Sequence, residues 1–161
     1  SHVQDGIELA RKHRLPRAIA DFIPEHHGTL ETSYQYHAAM QAAEGNGDNV
    51  DRADFTYPGP KPRTRETAIL MLADGVEAKG RAEMPEDEAS IDTLVHWVVD
   101  DRLAKGQLDR TDLTLKDLDT IRRSFVATLK SMYHPRLRYP DTRPDLDTAA
   151  EPEEVSQAGR V

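Results

Sequence analysis

His26 and His27 stand side by side in Pro24-Glu25-His26-His27-Gly28-Thr29, and His2 and Asp74 are of the types that could join them. Three imidazoles and one carboxylate make the mixed nitrogen and oxygen donor set that binds zinc, iron or manganese. The spacing, His-x23-His-His-x46-Asp, is too long for a local finger, so separate elements must bring the donors together. Successive helical residues point about 100° apart. Two neighbouring histidines can therefore reach one ion only where a helix ends, and Gly28 marks such an end. His13, His37, His96 and His134 stand alone and read as structural or solvated.

Asp74 interrupts the apolar stretch Ala68 to Val76. A carboxylate buried there without a partner would cost several kcal/mol. Either it faces solvent or caps a turn, or it binds a metal, which removes the desolvation problem. Position alone leaves these two readings even. A second candidate segment is Tyr57-Pro58-Gly59-Pro60-Lys61-Pro62, followed by Arg63 and Arg65. It offers a ring that could stack on a base. It also has rigid prolines and cations, Lys61 and Arg65 foremost, suited to phosphate oxygens. A stiff connector with solvated charges has the same composition.

Helices are expected to position these residues. The first runs from Val3 to about His13, with Val3, Ile7 and Ala10 at helical spacing. Pro16 suits the first position of a second helix that carries Ile19, Phe22 and Ile23 and ends at the histidine pair. A third spans about Thr32 to Glu44. The stretch 44–62 is a long connection in which alternating prolines prevent a helix. An apolar helix from Thr67 to about Lys79 follows. Another is opened by Pro85, with Ile91, Leu94, Val95, Val98 and Arg102 on one stripe. Thr114 with Asp117 resembles a capping box for a last helix carrying Leu118, Ile121, Phe125, Leu129 and Met132. No strand pattern is convincing, so the fold class is all-α.

At 161 residues the chain suits one domain with a real core. The net charge of −8 argues against general binding to a nucleic-acid backbone. Half of that excess lies from Asp141 onward, where six acids face Arg143 and Arg160 in an acidic tail expected to be disordered. Cysteine is absent, which removes disulfides, thiolate catalysis and cysteine–zinc sites. No apolar run approaches the roughly 20 residues that span a bilayer. Membrane attachment is therefore expected only through segments outside this sequence.

Taken in order, several motifs resemble one family. They are Ser1-His2-Val3-Gln4-Asp5-Gly6, His26-His27-Gly28-Thr29, Tyr57 to Pro62, and Met71-Leu72-Ala73-Asp74-Gly75-Val76-Glu77-Ala78. Asp100-Asp101-Arg102-Leu103 with Gly106-Gln107-Leu108-Asp109, Leu113 to Leu118, and Tyr133-His134-Pro135-Arg136 continue the series. The chain is similar to the HD-domain cyclic di-AMP phosphodiesterases of the seven-transmembrane receptor type, over residues 1–140. Residues 141–161 carry none of the likeness.

The resemblance implies an HD-domain helical bundle and two divalent metal ions, iron or manganese. It implies cyclic di-AMP as substrate, hydrolysed to linear pApA on the cytosolic face of the bacterial inner membrane. His2, His26 and His27 match its ligands for one ion and Asp74 its ligand for the other. His26, His27 and Asp74 are thus the residues expected to carry catalysis. The family's His-Asp pair, which supplies a bridging carboxylate, has no counterpart, since no His-Asp dipeptide occurs here. The expectation is an amino-terminally incomplete domain, the carboxyl-terminal part of the whole, poorly active alone and inclined to form a homodimer over uncovered apolar surface. The alternative is a non-catalytic module that binds cyclic dinucleotides in a regulatory role.

Overall fold

The computed structural model describes residues 2–43 and 50–133. The chain runs through α1 (His2–Lys12), α2 (Arg17–Ala20), α3 (Phe22–Glu25) and α4 (Ser33–Ala42). A short 3-10 turn follows (Arg52–Phe55), then α5 (Arg65–Glu83), α6 (Glu88–Ala104) and α7 (Leu115–Tyr133). Among the described residues, extended pairing is limited to an isolated antiparallel bridge between Glu31 and Thr56. The fold is all-α. No described helix is long and apolar enough to cross a membrane.

The three long helices carry the core. Ala68, Leu72 and Val76 of α5 meet Ile91, Leu94, Val95, Val98 and Val99 of α6, and Leu118, Ile121 and Leu129 of α7 close the layer. Burying each aliphatic side chain of this kind stabilises the fold by about 1.5–3 kcal/mol. The stripe on α6 follows the expected spacing, but its helix begins later than Pro85 suggests. Asp87 is the cap, accepting from the Ser90 backbone N–H at 2.7 Å. A carboxylate cap satisfies an orphan donor at the helix start, which the residues around Pro85 do not. The Thr114–Asp117 box forms as expected, with Asp117 accepting from the Thr114 N–H at 2.9 Å. α5 runs past Lys79 to Glu83 and stops at Met84 in the left-handed conformation. The acidic segment 141–161 lies outside the described residues.

The smaller helices are laid against this bundle. α1 buries Val3 and Ala10 and packs on α3. Gly6 lets the two approach closely, because a Cβ there would sit 2.9 Å from Ile23 Cγ2. That approach brings His2, the first residue of α1, over the end of α3. The expected second helix is divided at Asp21 into α2 and α3. The stretch before α5 pairs with the chain after α3, with the Tyr57 N–H donating to Leu30 O at 2.9 Å and the Thr32 N–H to Phe55 O at 2.7 Å. A long loop is thereby pinned beside the histidines.

Candidate metal centre

α3 ends at His26, and Gly28 turns the chain away with φ +53°. A side chain there would be both strained and blocked, since its Cβ would lie 2.4 Å from Gln107 Oε1 and 2.6 Å from Met71 Cε. At this terminus the two imidazoles lie with ring centroids 3.9 Å apart. His2 arrives from α1 with its Nε2 3.0 Å from His27 Nε2. One ligand nitrogen from each of His2, His26 and His27 lies within 4.8 Å of the others. Among the described residues, this is the cluster of three or more donors close enough to share an ion.

The ring orientations suit a cation. His26 Nδ1–H donates to Ile23 O at 2.7 Å, which makes Nε2 the nitrogen that a neutral His26 ring would offer a metal. His27 Nδ1 lies 3.5 Å from Asp74 Oδ2, so its Nε2 points back to His2. Burial and the neighbouring His26, opposed by the Asp74 carboxylate, push the His27 imidazole down to about 4. It is therefore neutral near pH 7, the form that binds metal. The donors present fit a divalent transition metal.

Asp74 sits on α5 with its side chain 41% exposed, opening into a cleft rather than into the core. That opening relieves the desolvation cost its apolar neighbours suggested. It stands beside His27 but outside the three-nitrogen set. Tyr57 stacks on His27 with centroids 4.2 Å apart and planes 24° from parallel. Burial and the Asp74 carboxylate raise the Tyr57 phenol, keeping it a neutral ring. His27, Tyr57 and Asp74 line the same cleft of about 680 Å³. Lys61 and Arg65 are not among its lining residues. Lys61 Nζ lies 3.8 Å from Asp109, and Arg65 pairs with Asp117 at 2.6 Å on the first turn of α7.

Two residues that sequence reasoning passed over hold the histidine turn in place. Glu25, 1% exposed, accepts from the Arg63 backbone N–H at 2.9 Å, the Arg63 guanidinium at 2.6 Å and Thr67 Oγ1 at 2.7 Å. Burial alone would raise its carboxyl, but the hydrogen bonds from Thr67 and Arg63 outweigh it and hold Glu25 below the ordinary range. Gln107 accepts from the Thr29 N–H at 3.0 Å and donates to Thr29 Oγ1 at 2.9 Å. Glu25 lies directly before the pair and Gln107 in the Gly106-Gln107-Leu108 motif, yet neither position reveals a partner 38 or 78 residues away.

No family model matches the chain. It is 38% identical over 141 residues to the cyclic-di-AMP phosphodiesterase PgpH of Bacillus subtilis, covering 88% of this chain and 19% of that protein. The Listeria monocytogenes PgpH is likewise 38% identical, over 143 residues, with 89% and 19% covered. The solved HD domain of the Listeria protein, in complex with cyclic-di-AMP, matches with a TM-score of 0.75 and 34% identity. That match covers 83% of this chain and 60% of that one. This chain is a relative of the PgpH HD domains. The HD domain solved without that ligand matches similarly, with a TM-score of 0.73 and 35% identity over 83% of this chain and 61% of that one. The chain thus spans about a fifth of the full-length PgpH relatives and about three fifths of the solved HD domains.

Proposed function

We propose that these residues form part of a metal-dependent phosphodiesterase domain that hydrolyses cyclic di-AMP to linear pApA. The reading is carried by the convergence of His2, His26 and His27 beside the cleft that holds Asp74 and Tyr57, in a relative of a domain solved with cyclic-di-AMP. Two divalent ions, iron or manganese, are assigned to the intact domain, with His2, His26 and His27 holding one and Asp74 the other. Held there, such ions would supply the positive charge that lowers the pKa of a bound water and stabilises a leaving oxygen.

The chain's own residues bind and orient. The Ile23 carbonyl fixes the His26 tautomer, and Asp74 turns His27 toward His2. The Tyr57 ring would lie beneath an adenine, where stacking contributes about 1–3 kcal/mol. Lys61 and Arg65 would reach a phosphate only by exchanging Asp109 and Asp117 for it. No His-Asp pair occurs in the 161 residues. Hydrolysis is therefore proposed for a domain containing them, and little turnover is expected of residues 1–161 alone. The same proposal includes a cytosolic location, membrane attachment only through segments outside these residues, and no nucleic-acid partner. It also includes a homodimer over the apolar surface of the Val3–Ala10 and Ile69–Val76 helices, where Val3, Ala10 and Val76 are buried but Leu9, Ile69 and Leu70 are exposed, and for which light scattering should give twice the chain mass. A monodisperse monomer would rule the dimer out.

A second reading is a non-catalytic module that binds a cyclic dinucleotide in the cleft holding His27, Tyr57 and Asp74. Chromatography of cyclic di-AMP incubated with the manganese-loaded chain, alone and within a complete HD domain, separates the two. The expected result is pApA from the complete domain and little from residues 1–161. Binding without product in both would establish the regulatory reading, and no binding in either would refute both.

A further inference from the structure

α6 and Lys105, which follows it, line the same cleft, and two cations there share one carboxylate. Asp101 pairs with Arg102 and also with Lys105, whose Nζ lies 2.8 Å from Oδ1, so one carboxylate faces two cations. Lys79, across the cleft on α5, is already matched by Glu83 and lies over the Trp97 ring at 4.0 Å. Asp74, another carboxylate of the lining, is turned to His27. Arg102 and Lys105 thus share Asp101 as their ion-pair partner.

Arg102 is the unusual member. Its side chain is only 16% exposed, and its Nε is buried with no hydrogen-bond partner. Its guanidinium lies against Gly75, where a Cβ would sit 3.0 Å from the terminal nitrogen. The residue after Asp74 therefore leaves that nitrogen room beside the candidate metal centre. A guanidinium so far removed from water, with donors to spare, is costly to keep unless an acceptor completes it. A phosphodiester fits, because its oxygens match the planar fork of Arg and the point charge of Lys.

We propose that Arg102 and Lys105, held by Asp101, are the phosphate anchor of this cleft and fix the substrate's phosphodiester beside His27 and Asp74. This rests on the cyclic-dinucleotide reading above and names the residues that would position that substrate.

Trp97, the one tryptophan of the chain, lines the same cleft and reports on it by its emission. The full chain, with Mn²⁺ present, is titrated with cyclic di-AMP and separately with inorganic phosphate. Saturable change in Trp97 emission is expected with cyclic di-AMP. Arg102→Gln and Lys105→Gln should each weaken binding by about tenfold or more, as befits loss of a charge-assisted hydrogen bond, and Arg102→Lys should recover part of it. Lys105 is half exposed, so its variant tests the anchor even if Arg102→Gln fails to fold. Cyclic di-AMP binding unchanged in Lys105→Gln and in folded Arg102→Gln would overturn the anchor and leave the function reading standing. A response to phosphate that both variants lose, with none to cyclic di-AMP, would keep the anchor and overturn the cyclic-dinucleotide reading. No response to either ligand would overturn both.

Discussion

Replacing His27 with alanine is expected to weaken divalent-metal binding by at least about a hundredfold, more than the ten- to hundredfold typical of losing an outer-shell partner. His27 is the pivot of the cluster. Its Nε2 faces His2 at 3.0 Å, its ring lies 3.9 Å from that of His26, and its Nδ1 faces Asp74 at 3.5 Å. Removing it leaves two imidazoles and separates the carboxylate from them. Because its imidazole is depressed to about 4, a proton on His27 does not compete with the metal until the medium is strongly acidic. The sign for folding follows. The unfolded chain takes up a proton on His27 near 6.5 and the folded chain only near 4, so the neutral ring's contribution to stability is complete above 6.5 and is lost as pH falls toward 4. Calorimetric titration with Mn²⁺ checks the main effect, with His37→Ala as control because that ring packs on Tyr36 outside the cluster. Equal stoichiometry and affinity in His27→Ala and the parent chain would refute the centre.

What the sequence disclosed and what it concealed divide along the range of the interactions. His26-His27-Gly28 announces a helix end because the stop signal is local, and the stripe on α6 is a local periodicity. Thr114 and Asp117, three residues apart, cap each other as their types suggest. The partners of cations were hidden, because ion pairing depends on which helices become neighbours. Arg65 reads as a free phosphate ligand until α7 places Asp117 against it. Asp74 reads as a costly intrusion until the cleft beside Tyr57 exposes it. The bridge from Glu31 to Thr56 was equally illegible, since neither flank alternates as a strand does. Arg102 reads as a member of the stripe on α6, because nothing nearby in the sequence shows that its Nε ends up buried without a partner.

Glu25→Ala is expected to lower stability by about 2–3 kcal/mol and to loosen the histidine turn as well. Breaking a fully buried ion pair from one side costs about 3–5 kcal/mol, but the abandoned Arg63 is 41% exposed and can regain water, which argues for less. The remainder comes from the Arg63 N–H and the Thr67 hydroxyl, both of which lose their acceptor where α5 begins. Thr67 also closes the capping box with Thr64, so the start of α5 and the end of α3 are fastened by one carboxylate. Glu25→Gln keeps the volume and tests the charge. The Glu25 carboxyl lies below its ordinary 4.5 in the folded chain, so its stabilisation is fully present above that value. It is lost as pH falls through the lower, folded value. The gap between parent and Glu25→Gln in urea denaturation should therefore be constant near neutrality and narrow in acid. Metal affinity should fall in both variants, because His26 follows Glu25 directly and its ring is aimed by the turn that Glu25 anchors. A stability gap that stays the same from neutrality down to acid would show that the carboxylate's charge contributes nothing, and unchanged metal affinity would free the histidine turn from this anchor.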